Sequence, residues 1–118
     1  MLSAYCAVAV TMLSVASVFG AITEAGLVGT WEASAPDMIR PHGRATITYR
    51  ANHTCIHQEY GDYPTTAHGT WSLHGRELVT RFGKELVVRE TILEIAPNHF
   101  KTRYDRTIFT YTRVKPEP

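Results

Sequence analysis

Gly29-Thr30-Trp31, read together with Phe109-Thr110-Tyr111-Thr112-Arg113 near the far end of the chain, decides the fold. Between these two stretches lie only short runs in which apolar and polar residues alternate, the period of two that marks a half-buried strand. Trp31 therefore falls on the first strand and Arg113 on the last. In an antiparallel sheet rolled into a barrel those two strands are neighbours, and a guanidinium plane lies against an indole across the seam. Closure also removes the unpaired edges through which open sheets stick together. The pair predicts a closed barrel.

Working outward, turn residues cut the chain into eight strands, at 28–34, 44–51, 54–60, 68–74, 77–82, 86–95, 99–104 and 107–114. Most separators are two to four residues long, as hairpins between sequential antiparallel strands require. Sustained helical periodicity is absent, and residues 22–27 provide at most one turn. The expected fold class is all-β: an eight-stranded antiparallel up-and-down barrel.

Alternation assigns the faces. Ala45, Ile47 and Tyr49 share one side. A two-residue turn at Asn52-His53 sets Tyr49 opposite Ile56, Ile47 opposite Gln58 and Ala45 opposite Tyr60, which brings Gln58 and Tyr60 inside and leaves His57 and Glu59 outside. Trp71 and Leu73, Leu78 and Phe82, Leu93 and Ile95, then Phe100, Thr102 and Tyr104 continue the inner face. On the last strand Phe109, Tyr111 and Arg113 share it, and Arg89 is counted with the inward set. Gly69-Thr70-Trp71 repeats Gly29-Thr30-Trp31, each a glycine that lets a strand bend ahead of a large inward aromatic.

Bulk composition bounds the rest. With 118 residues, 44% hydrophobic, the chain forms one domain, and a formal net charge of +1 offers no electrostatic case for nucleic acid or an anionic membrane surface. No charged side chain occurs from Met1 to Gly20, and the stretch is largely apolar with small residues at its end. It reads as an export signal cut after Gly20, although it lacks the usual basic residue before the apolar run. An uncleaved anchor is the alternative, since about 20 apolar residues span a bilayer. The domains are thus 1–20, signal or anchor, and 21–118, the barrel. Localisation is periplasmic or secreted, or membrane-anchored if the segment stays. Cleavage removes Cys6 and leaves Cys55 alone, so the barrel holds without an internal disulfide. Asn52-His53-Thr54 matches a glycosylation sequon.

The segments Leu27-Val28-Gly29-Thr30-Trp31, Gly69-Thr70-Trp71-Ser72-Leu73 and Phe109-Thr110-Tyr111-Thr112-Arg113-Val114 resemble the lipocalin and fatty-acid-binding superfamily, the calycins, and within it the small exported lipocalin-like domain proteins of bacteria. The resemblance implies that Gly29, Trp31 and Arg113 are structural and close one end of the barrel. The chain departs from the fatty-acid-binding branch, because residues 36–43 are too short and proline-bounded for its helical lid. It also lacks the disulfide and terminal helix of secreted animal lipocalins.

Candidate sites follow from the inward list. Tyr49, Gln58, Tyr60, Trp71, Arg89, Tyr104 and Tyr111 are the lumen candidates for a small apolar or amphiphilic ligand, an inward arginine pairing with a carboxylate or phosphate head. The competing reading is a short barrel simply filled by its aromatics. In that case the rim loops 36–43 and 61–67 serve as a protein-interaction or inhibitor module. His53 and His57 flank Cys55, but the chain lacks the paired-cysteine or His-Glu-x-x-His spacing of a metal site, so no metal or cofactor is expected. Ser34 and Ser72 lie in no nucleophile elbow, and Glu90 with Glu94 reads as ordinary surface charge. The expected protein is not an enzyme.

Overall fold

The computed structural model describes residues 21–35 and 44–115. The expected signal or anchor segment, Cys6 and the rim loop 36–43 lie outside the described residues. A single turn, α1 (Glu24–Leu27), leads into β1 (Gly29–Ser34), β2 (Arg44–Tyr49), β3 (Thr54–Tyr60), β4 (Thr65–His74), β5 (Glu77–Phe82), β6 (Leu86–Ala96), β7 (His99–Tyr104) and β8 (Thr107–Arg113). Each strand pairs with the next in antiparallel fashion, and β8 returns to β1 to close the barrel. The seam pairs Trp31 with Arg113 and Ala33 with Tyr111. The expected eight-stranded up-and-down architecture is the observed one.

Two registers differ from expectation, each by one residue. The β2–β3 connection is a three-residue loop, Ala51-Asn52-His53, closed by Arg50 N–H donating to the Thr54 carbonyl at 2.9 Å. His53 turns it in the left-handed region at φ 68°. Tyr49 therefore faces Cys55 and Ile47 faces His57. Since side chains alternate, that single extra loop residue exchanges the two faces of β3. In β6 the pairing with β7 shifts between Ile92 and Glu94. This bulge lets Ile92 and Ile95 both point into the core, while Leu93 is only half-buried.

The core sits at the end of the barrel where β1 begins. Thr23 caps α1 by accepting from Gly26 N–H at 3.1 Å. The turn delivers Leu27, fully buried, into the opening. Trp31, also fully buried, donates its indole N–H to the Leu27 carbonyl at 2.8 Å and meets the edge of Phe100 at a centroid distance of 4.7 Å. The Arg113 guanidinium carbon lies 4.1 Å from the centre of the indole. Its nitrogens donate to the carbonyls of Pro97 (2.8 Å), Val28 (3.0 Å) and Gly26 (3.2 Å). The floor is thus a plug strapped in place by one arginine.

The two Gly-x-Trp copies have different physical causes. Gly29 stands at φ +135°, a conformation essentially reserved for glycine, and a Cβ there would strike Arg113 Nη1. Gly69 has ordinary backbone angles, but a Cβ would strike the Arg81 carbonyl oxygen on β5. Trp71, one residue beyond Thr70, donates its indole N–H to the Arg50 carbonyl at 2.8 Å, and its backbone N–H bonds the His53 carbonyl at 2.9 Å. His53 in turn contacts Glu24 Oε1 at 2.6 Å, fastening α1 to the β2–β3 loop. The first copy accommodates the strap and the second lets two strands approach.

Candidate functional site

Above this floor the barrel is hollow. A cavity of about 320 Å³ occupies its other half, toward the end that carries loops 61–64, 83–85 and 105–106. Its volume falls at the small end of ligand-binding pockets. The walls are overwhelmingly apolar, with Ala33, Ala45, Ile47, Ala67, Val88 and Phe109 around the girth and Phe82, Leu86 and Tyr104 near the mouth. Tyr104 and Leu86 are 45% and 56% exposed, which locates the opening on their side.

One carboxyl group lies deep in this lining. Glu90, on β6 opposite Leu78, is 6% exposed. Its Oε1 accepts two hydrogen bonds, from the Thr102 hydroxyl at 2.8 Å and from the Tyr111 hydroxyl at 2.5 Å. Both hydroxyls are fixed from below, because the Tyr111 ring stacks on Phe100 at 4.3 Å and Thr102 is fully buried. Among the described residues Oε2 has no hydrogen-bond partner, yet no buried polar side-chain atom is unsatisfied. Oε2 is therefore the oxygen that meets the cavity.

Burial sets the electrostatics. Desolvation raises the Glu90 pKa above its ordinary value of 4.5, outweighing the two hydroxyl bonds that favour the charged form. The phenols of Tyr49 and Tyr111 are pushed well above 10, burial being the main cause and the charge of Glu90 a further one. The Cys55 thiol is pushed up to about 11 by burial, so it is protonated at neutral pH and a poor nucleophile.

The sign of the resulting pH dependence follows from linkage. Folded Glu90 holds its proton more tightly than the unfolded chain does, so stability falls as pH climbs from about 4.5 through the raised folded value. The titratable groups facing Glu90 are Tyr111 on β8 and Tyr49 on β2, both protonated throughout this range. Thr102 on β7 and Leu78 on β5 are neutral, and His57 lines the cavity from β3. Urea unfolding of wild type and Glu90→Gln between pH 4 and 9 should show the wild type losing stability relative to the variant as pH rises, then levelling. Parallel curves would mean that Glu90 ionises as readily in the fold as outside it.

The sequence-derived candidates divide. Tyr49, Tyr104 and Tyr111 line the cavity. Trp71 is buried beside Tyr49 in the floor core, outside the lining. Gln58 and Tyr60 are corrected to the outer face by the β2–β3 register, where the Tyr60 hydroxyl donates to Gln58 and the Tyr60 ring lies under the Arg44 guanidinium at 5.0 Å. His57 and Glu59 take the inner positions expected for those two. Arg89 is corrected to the outer surface, exposed and paired with Glu77 at 2.8 Å. Counting inward positions back from Ile95 and Leu93 makes Arg89 inward, and the bulge cancels that phase. Counting forward from the glycine turn at 83–85, where Phe82 pairs with Leu86, sets Glu90 opposite Leu78 and inside. That count was the signal for the residue missed.

Gly29, Trp31 and Arg113 lie together at the closed end. Every guanidinium nitrogen of Arg113 is taken by a carbonyl, so no inward arginine is offered to a ligand head. No group of three or more His, Cys, Asp or Glu among the described residues is arranged to hold a metal ion.

No protein-family model matches the chain, and no curated protein matches it significantly. Two solved structures share its architecture. The NMR structure of a protein from Bacteroides uniformis has a TM-score of 0.61 at 16% identity, over 80% of this chain and 94% of that one. The crystal structure of the lipoprotein YedD from Klebsiella pneumoniae has a TM-score of 0.57 at 18% identity, over 86% of this chain and 82% of that one. At such identities the likeness is one of fold: this chain and both neighbours are built on the same small barrel.

Proposed function

We propose that this protein is a non-catalytic, exported barrel of the lipocalin-like kind that binds a small, largely apolar molecule in its interior. The cavity itself carries the reading, since it is apolar, of ligand size and reached from one end of a barrel whose other end is strapped shut. Export is supported by the uncharged apolar segment from Met1 to Gly20 and by the lipoprotein on the same fold. The absence of catalysis is supported by the chemistry at hand, a protonated thiol at Cys55 and a carboxyl group already engaged by two hydroxyls.

Native mass spectrometry of the delipidated protein, offered a panel of C6 to C10 alcohols, amines and acids, tests the proposal. One-to-one complexes with at least one member are expected, and loss of binding on Ala67→Trp, which fills the wall, would place the ligand inside. A protein that stays empty with the whole panel overturns the carrier reading. A second reading, a protein-contact module at the rim, is favoured by Tyr63, which is 89% exposed on loop 61–64. It would stand if Tyr63→Ala released a co-purifying protein while leaving the melting temperature unchanged.

A further inference from the structure

The lumen carries a charge logic opposite to that of a fatty-acid carrier. Among the described residues its walls contain no lysine or arginine: Arg113 is spent on three carbonyls at the closed end, and Arg89 and Arg44 lie on the outer surface. What the deep end presents is the reverse of an anion site. Glu90 is 94% buried by its 6% exposure, its Oε1 saturated by two hydroxyl donors and its Oε2 turned to the cavity as a bare acceptor. Because Thr102 and Tyr111 both direct their protons at Oε1, they hold the carboxyl in one orientation.

We propose that Glu90 is the ligand-anchoring residue of the cavity and that the ligand is a small apolar amine, its nitrogen donating to Glu90 Oε2 and its hydrocarbon body filling the space toward Phe82 and Leu86. This deepens the carrier reading and rests on it. An ammonium at Oε2 forms a charge-assisted hydrogen bond in a low-dielectric pocket, where such bonds are strongest. Tyr49 and Tyr111 line the same cavity and surround the nitrogen with aromatic rather than basic groups. A carboxylate head in that position meets the lone pairs of Glu90 with no lysine or arginine in the described wall to offset them, and it is disfavoured by like-charge repulsion. The preference is thus set by one acidic side chain in a wall that, among the described residues, holds no lysine or arginine.

Matched eight-carbon probes isolate the head group: n-octylamine, n-octanol and n-octanoate, titrated calorimetrically at pH 7 into wild type, Glu90→Gln and His57→Ala. Octylamine is expected to bind at least tenfold tighter than octanoate, and Glu90→Gln to lose at least tenfold in octylamine affinity while changing octanol by less than threefold. The wild-type ranking stands as a test even if a variant folds poorly. Equal binding of all three probes overturns the amine assignment and leaves the carrier reading in place. Octanoate binding tightest, and weakened by His57→Ala, would also overturn it, by placing an acidic head at His57. Failure of all three to bind overturns both readings together.

Discussion

Trp31→Ala is expected to destabilise the barrel by about 3–5 kcal/mol, measured by urea unfolding at constant pH. The indole is fully buried and sits where four groups converge: the Leu27 carbonyl, the Phe100 ring edge, the Arg113 guanidinium and the cross-strand partner Ile47. Truncation leaves a large void in a close-packed floor, and such voids cost more than the lost transfer energy because the surroundings collapse only partly. It also orphans the Leu27 carbonyl, a buried acceptor whose loss of partner adds about 1–3 kcal/mol when no water replaces it. Trp31→Phe separates the two contributions, since the ring survives and the N–H does not. The phenylalanine variant should therefore keep more than half of the stability lost by alanine. A cost below about 1 kcal/mol for the alanine variant would mean that α1 and Leu27 settle into the gap, and that the floor is soft.

The same floor shows why so much of the architecture was legible. Strand content, turn positions and the β1–β8 seam depend on local alternation and on one long-range pair, Trp31 with Arg113, and both survive small errors in counting. The interior does not. Placing side chains inside or outside needs the exact length of each loop and the position of each bulge, because the period is two and one residue inverts the assignment. The β2–β3 loop accommodates His53 at positive φ, a conformation open to few non-glycine residues, and nothing in Asn52-His53 alone separates a two-residue from a three-residue turn. The β6 bulge at Ile92–Glu94 is equally silent, since Leu93, Ile92 and Ile95 are all apolar and fit either phase. The consequence fell on the chemistry: Gln58, Tyr60 and Arg89 exchange places with His57, Glu59 and Glu90. The expected aromatic lumen with an inward arginine becomes a cavity lined by a buried glutamate.

Arg113→Met should cost about 2–3 kcal/mol, the second largest loss expected of a single exchange, and its salt dependence identifies the cause. Methionine keeps much of the stem over the indole but withdraws every donor from the carbonyls of Gly26, Val28 and Pro97. Each bond to a charged donor contributes about 1.5–3 kcal/mol in isolation. The three act as one unit on a partly exposed side chain, so their sum is not reached. Arg113→Lys tests the fork: a single ammonium reaches fewer of three carbonyls drawn from α1, its exit and the β6–β7 turn, and should recover less than half of the loss. Because the partners are neutral carbonyls and an aromatic face rather than carboxylates, the deficit of the methionine variant should persist in 1 M salt, where exposed ion pairs such as Arg89–Glu77 are screened. A deficit that vanished with salt would mean that the arginine acts at long range on acidic groups, and that the strap is held by something other than its hydrogen bonds.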